Sequence, residues 1–200
     1  MQEIIITLIL IFFIFYFIYK NLYVDDNLIY EKATYDNNYY WVRNMYDRSQ
    51  AANTLAVIKS NMYKLINYLQ TNINDFPDYA SDIKDLVKRT KKIYIMETPK
   101  DEKFTSYTIN KGEKIVFCLR SKILHTIHDI NTIMYVVIHE MAHCACPEYG
   151  HTPLFKKIFK FLLIQANKIK IYKITDYRIS PVDYCGMEIN EYLLDNQKLD

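Results

Sequence analysis

Two histidines four residues apart, with a glutamate directly after the first, make up the segment His139-Glu140-Met141-Ala142-His143. On a helix, residues i and i+4 project from nearly the same side, so two neutral imidazoles can reach one Zn²⁺ at about 2.0–2.1 Å. Glu140 then lies beside the ion. There its carboxylate can take a proton from water that the metal has acidified to a pKa of about 7. The spacing predicts metal-assisted hydrolysis, with Zn²⁺ as cofactor, Glu140 as catalytic base and a protein or peptide as substrate.

A catalytic zinc wants three protein ligands and an open position, so a third group must come from elsewhere. His151 is the best-placed candidate, eight residues after His143 across the Pro147–Gly150 stretch. Glu188 and Glu191 are the alternatives from a later element, and Glu148, Cys144 and Cys146 are nearer ones.

These side chains need a helix to carry them. Asp129 is a suitable N-cap, the stripe Ile130, Met134, Val137, Ile138, Met141 gives one buried face, and Pro147 forbids continuation. A second helix is predicted from Thr152, with Pro153 at its first position, to about Lys168. Upstream, three-and-four spacing of apolar residues predicts a long helix over about 45–71, and a shorter one follows over 79–91. Segments 93–97, 105–109 and 114–119 are β-branched and aromatic, with a turn at Asn110-Lys111-Gly112-Glu113, and predict a small antiparallel sheet. After Lys168 a strand near Ile171–Ile174, a loop and a short terminal helix are expected. The fold class is therefore α+β.

The stretch VVIHEMAHCACPEYGHTPLFKKIF resembles the SprT-like and WLM families of minimal zinc metallopeptidases, through its HExxH helix, turn and GHxxxF element. The resemblance covers about residues 93–165. It implies that His151 is the third zinc ligand, that Phe155 packs behind the site and that a hairpin precedes the active helix. The interval between His143 and His151 falls between those typical of the two families.

Residues 4–19, IIITLILIFFIFYFIY, carry no charge and are followed by Lys20. Extended by Leu22, Tyr23 and Val24, they predict a single-pass transmembrane anchor over 1–24, in contact with lipid through 4–24. A polar tether over 25–40 and a peptidase-like domain over 41–200 would follow. Lys20 places that domain on the cytosolic side. A membrane-tethered zinc scaffold without activity is the alternative function, and Glu140 argues against it, since a structural site needs no base.

The formal charge of +2 does not indicate a nucleic-acid partner. Nineteen tyrosines, abundant isoleucine and asparagine, and three glycines point to an AT-rich, viral source. Cys118, Cys144, Cys146 and Cys185 are expected to be mostly free, acting as small buried hydrophobes. Tyr184 is expected to pack, His125 and His128 to face solvent, and the basic run Lys84, Lys88, Arg89, Lys91, Lys92 to form a solvated helix end.

Overall fold

A computed structural model describes residues 6, 7, 9–14, 27–100 and 102–193. Among them, no helix is long and apolar enough to cross a membrane. This corrects the single-pass anchor expected over 1–24, and with it the membrane localisation and the cytosolic-side assignment. The helical residues described in the uncharged run are far fewer than the roughly 20 that a crossing helix needs. Residues 6, 7 and 9–14 of that run are helical; the rest of 1–24 lies outside the described residues.

The chain is α+β. β1 (Leu28–Lys32) and β2 (Tyr39–Arg43) form an antiparallel hairpin. β1 therefore lies within the stretch read as a tether, where Tyr30, Tyr39 and Trp41 stack on one face and Leu28 and Val42 are buried. The long helix is α1 (Arg48–Thr71), whose Leu55, Ile58, Met62, Leu65 and Leu69 are all fully buried. Two short 3-10 turns lead into α2 (Ala80–Arg89).

β3 (Tyr94–Glu97), β4 (Tyr107–Ile109) and β5 (Lys114–Phe117) make a three-stranded sheet in the order β3-β5-β4. β4 is antiparallel to β5, but β3 is parallel to it, so the sheet is mixed and not purely antiparallel as expected. β4 enters the order outside β5 and leaves the sheet a short outer strand. The α3 (Ile130–Ala145) and α4 (Pro153–Lys168) helices follow, and one continuous apolar core joins α1, α2, α3 and α4 to β3 and β5.

Both late helices begin where their capping residues predict. The Asp129 carboxylate accepts the backbone N–H groups of Asn131 and Thr132, and the Thr152 hydroxyl accepts that of Phe155 at 3.3 Å. Of the expected α3 stripe, Met134, Val137, Ile138 and Met141 are buried, while Ile130 stays exposed. Pro147 stops α3 by forcing Cys146 into an extended conformation, with ψ at 130°.

No strand forms at 171–174; instead β6 (Val182–Tyr184) and β7 (Met187–Ile189) form a terminal hairpin. The end of the chain, where a helix was expected, lies partly outside the described residues. Cys118 and Cys185 are joined by a disulfide, which corrects the expectation of mostly free thiols, while Cys144 and Cys146 are free and buried. Beside the bridge, the Tyr184 hydroxyl donates to the Cys118 carbonyl at 2.6 Å and holds the hairpin at the end of β5.

A buried ionic cluster ties these layers together. The Glu97 carboxylate accepts Arg120 Nε at 2.8 Å and the Arg43 backbone N–H at 2.7 Å. Arg120 also pairs with Asp47, which precedes α1. Glu97 and Arg120 are wholly shielded from solvent. Burial pushes the Glu97 carboxyl up, and the two arginines pull it back.

Candidate metal centre

His139 and His143 lie one turn apart on α3, and the chain reverses after Pro147 to bring His151 over them. Gly150 supplies that reversal with φ at +78°, a conformation open to glycine without steric cost. His151 Nε2 stands 3.0 Å from His139 Nε2 and 3.2 Å from His143 Nε2. Four ligand atoms held tetrahedrally at about 2.0–2.1 Å sit roughly 3.3 Å apart, close to the two separations from His151, and all three ligand nitrogens lie within 4.8 Å of one another. Among the described residues this is the one cluster of three or more His, Cys, Asp or Glu side chains able to hold a metal ion. Glu188, Glu191, Glu148, Cys144 and Cys146 do not join it.

The imidazoles rest on aromatic rings. Phe155 is buried and stacks on His143 at 4.2 Å between centroids, with His139 and His151 each at 4.9 Å from it. Phe159 adds an edge contact to His139 at 5.1 Å. This apolar bed disfavours protonated rings. Burial and the neighbouring His143 and His151 bring the pKa of His139 down to about 3. Burial, His151 and Lys111 bring that of His143 down to about 4. Neutral imidazole is the form that binds a metal.

Glu140 is 5 % exposed, and burial pushes its pKa up to about 7, against the pull of a hydrogen bond from Thr108. Thr108 Oγ1 donates to Glu140 Oε2 at 2.7 Å. Both line a cleft of about 1030 Å³ together with the three histidines, β4 and the β6–β7 hairpin. Cys144 and Cys146 pack into the core, as expected of them.

Two cations hold the turn that carries His151, and neither was recognised in the sequence. Lys111, between β4 and β5, donates through Nζ to the carbonyls of Cys146, Pro147 and Glu148 at 2.8, 2.7 and 3.0 Å, and lies over the Tyr149 ring. Arg89, read as part of a solvated helix end, donates to the carbonyls of Cys144 and Cys146 at 2.8 and 3.2 Å. Both satisfy carbonyls freed where α3 ends. Gly112 permits the close approach: a Cβ there would meet the Arg89 carbonyl at 3.1 Å and Cys144 Sγ at 3.2 Å. The only sequence signal was glycine at a hairpin turn, and nothing in it named the far partner.

Tyr184 packs, its hydroxyl shared between the Cys118 carbonyl and Ser106. His125 is exposed, whereas His128 is half-buried and accepts the Cys185 backbone N–H at 3.2 Å.

No protein-family model matches the chain. The uncharacterized protein R325 of Acanthamoeba polyphaga mimivirus is 45% identical to it over 165 residues, which span 82% of this chain and 84% of that protein. The chain belongs to the family of mimivirus R325. Shorter similarities link it to two further uncharacterized proteins. One is 136R of Invertebrate iridescent virus 6, 39% identical over 82 residues and 43% of that protein. The other is 042R of Invertebrate iridescent virus 3, 46% identical over 62 residues and 38% of that protein. All three relatives are viral, in line with the source read from composition. Among solved structures, Wss1 from Saccharomyces cerevisiae is similar with a TM-score of 0.37 and 23% identity, over 46% of this chain and 74% of that one.

Proposed function

We propose that this protein is a zinc-dependent peptidase of the HExxH class, with His139, His143 and His151 as metal ligands and Glu140 as the general base. The observation that carries the reading is the convergence of three Nε2 atoms at 3.0 and 3.2 Å beside a buried carboxylate. Zinc, when bound, supplies Lewis-acid charge to the scissile carbonyl and to water. Glu140, with a pKa near 7 in the metal-free chain, suits accepting a proton from water and returning it to the leaving amine at neutral pH. The outer strand β4 pairs only with β5 among the described residues, so its other edge can hold an extended peptide along the cleft. The same motif order underlies the resemblance to the SprT-like and WLM peptidases.

The test compares the zinc-loaded full chain with Glu140→Gln on casein and a peptide library. The parent is expected to cleave with about one zinc per chain. The variant keeps the zinc and loses roughly 10²- to 10⁴-fold in turnover. Equal activity in the two proteins removes the mechanism, and a parent that binds zinc without cleaving removes the peptidase reading in favour of a zinc scaffold.

A further inference from the structure

We propose that Thr108 is a positioning residue for Glu140, an inference that rests on the peptidase reading above. Glu140 comes from α3 and Thr108 from β4, 32 residues earlier, and their contact is a single hydrogen bond from Thr108 Oγ1 to Glu140 Oε2 at 2.7 Å. It is the hydrogen bond that the carboxylate makes among the described residues. A glutamate has three side-chain torsions, and among the described residues the buried Glu140 has no cationic partner to fix them. The hydroxyl therefore fixes one carboxylate oxygen and leaves Oε1 for a water in the cleft.

The donor is itself held. Thr108 is the central residue of β4, in register with Ile115 of β5. Its β-branched side chain has few χ1 choices on a strand. The strand that borders the cleft thus carries the group that orients the base, so a peptide lying on β4 and the carboxylate that serves it share one frame. A base held in place before reaction costs no reorganisation when the proton moves. Thr108 lies outside the three-histidine cluster, and the proposed role acts through its hydrogen bond to Glu140.

Thr108→Val keeps the shape and the strand preference and removes only the hydroxyl; Thr108→Ser restores it. In the zinc-loaded full chain, kcat for peptide cleavage is expected to fall roughly 10- to 100-fold in Thr108→Val, with KM and zinc content unchanged and a lowered melting temperature, and to recover in Thr108→Ser. Crystal structures of the zinc-loaded proteins supply a readout free of turnover. Glu140 Oε2 should lie on the hydroxyl in the parent and in Thr108→Ser, and should leave that position in Thr108→Val. An unmoved carboxylate or an unchanged kcat in Thr108→Val overturns the proposal. So does a loss that Thr108→Ser does not repair, since that marks a structural role. If the parent itself fails to cleave, the peptidase reading falls, and the carboxylate position alone decides whether Thr108 orients Glu140.

Discussion

His139 and His151 are twelve residues apart in sequence, yet their Nε2 atoms stand 3.0 Å apart. Two local events bring this about: Pro147 ends α3 after the second histidine, and Gly150 turns the chain back before Thr152 caps α4. His151 is the most exposed of the three rings and rests on Phe155, so its removal costs little packing. His151→Ala is expected to fold and to lose more zinc affinity than the roughly 10- to 100-fold typical of removing an outer partner. Glu188→Ala and Glu191→Ala should bind as the parent does. Competition with a chromophoric chelator measures all three, and parental affinity in His151→Ala would eliminate the third ligand.

Lys111 should matter to the metal without touching it. Its ammonium holds three consecutive carbonyls of the turn before His151, and Met in its place keeps the stem but makes none of those bonds. Lys111→Met is expected to weaken zinc binding roughly 10- to 100-fold, the range found for partners that orient ligands. Arg89 remains on the Cys144 and Cys146 carbonyls, so α3 itself should persist, with unchanged far-UV circular dichroism. The same titration with undiminished affinity would show that the turn holds its shape unaided.

The lowered histidines make the metal-free fold sensitive to mild acid. Unfolded imidazoles titrate near pH 6.5, whereas folded His139 and His143 stay neutral down to about 3 and about 4. Below about pH 6.5 these two imidazoles bind more protons in the unfolded chain than in the native one. That outweighs the opposing Glu140, whose raised folded pKa of about 7 favours the native state in acid, and stability declines as the pH falls toward 4. In chelator-treated protein the urea midpoint should be lower at pH 5 than at pH 7.5. That difference should shrink in His139→Asn, and an equal difference in the variant would rule out this histidine as its source.

Much of the local structure was legible in the sequence because its causes are local. Asp129, Pro147, Thr152 and Pro153 bound α3 and α4 through capping and proline sterics, and the stripe of Met134, Val137, Ile138 and Met141 orients the face that carries the motif. What was not legible depends on partners distant in sequence. The parallel pairing of β3 with β5 requires β4 to swing outside, which no strand propensity encodes. Arg89 read as part of a solvated helix end and Lys111 only as a turn residue, because their acceptors are backbone carbonyls 35 to 57 residues away. Thr108 gave no signal either, since a threonine in a strand needs no further explanation. The disulfide followed from the unforeseen β6–β7 hairpin, and the apolar N-terminal run, lengthened with Leu22, Tyr23 and Val24, reads as a crossing length that no helix among the described residues attains.

The Cys118–Cys185 bridge closes a loop of 67 residues that contains α3, α4 and the whole candidate metal centre. A cross-link of that span limits the unfolded chain by about 4 kcal/mol in the loop-entropy picture. Cys118→Ala/Cys185→Ala should lower stability by up to that amount in urea unfolding. The β6–β7 hairpin lines the cleft, so KM should rise more than kcat falls. A double variant as stable as the oxidised parent would mean that the hairpin stays in place through Tyr184 and Ser106 alone.

Glu97 and Arg120 form an ion pair with no access to water, and Asp47 and the Arg43 backbone complete it. Arg120→Met removes the cation and leaves two carboxylates, Glu97 and Asp47, without it. Breaking a buried pair from one side typically costs about 3–5 kcal/mol, and Glu97 keeps Arg43 Nε at 3.8 Å while Asp47 loses its ion-pair partner, so the loss should fall toward the lower end. The cluster lies outside the cleft, linking β2, β3, the start of α1 and the exit of β5, so the loss should fall on folding and not on chemistry. The urea midpoint should drop in Arg120→Met, with zinc affinity and kcat unchanged under conditions where the variant is folded. Glu97→Gln should cost less, since an amide oxygen can still accept from Arg120 Nε. A larger loss for Glu97→Gln than for Arg120→Met would show that the carboxylate's charge, and not the burial of an unpaired ion, governs this part of the core.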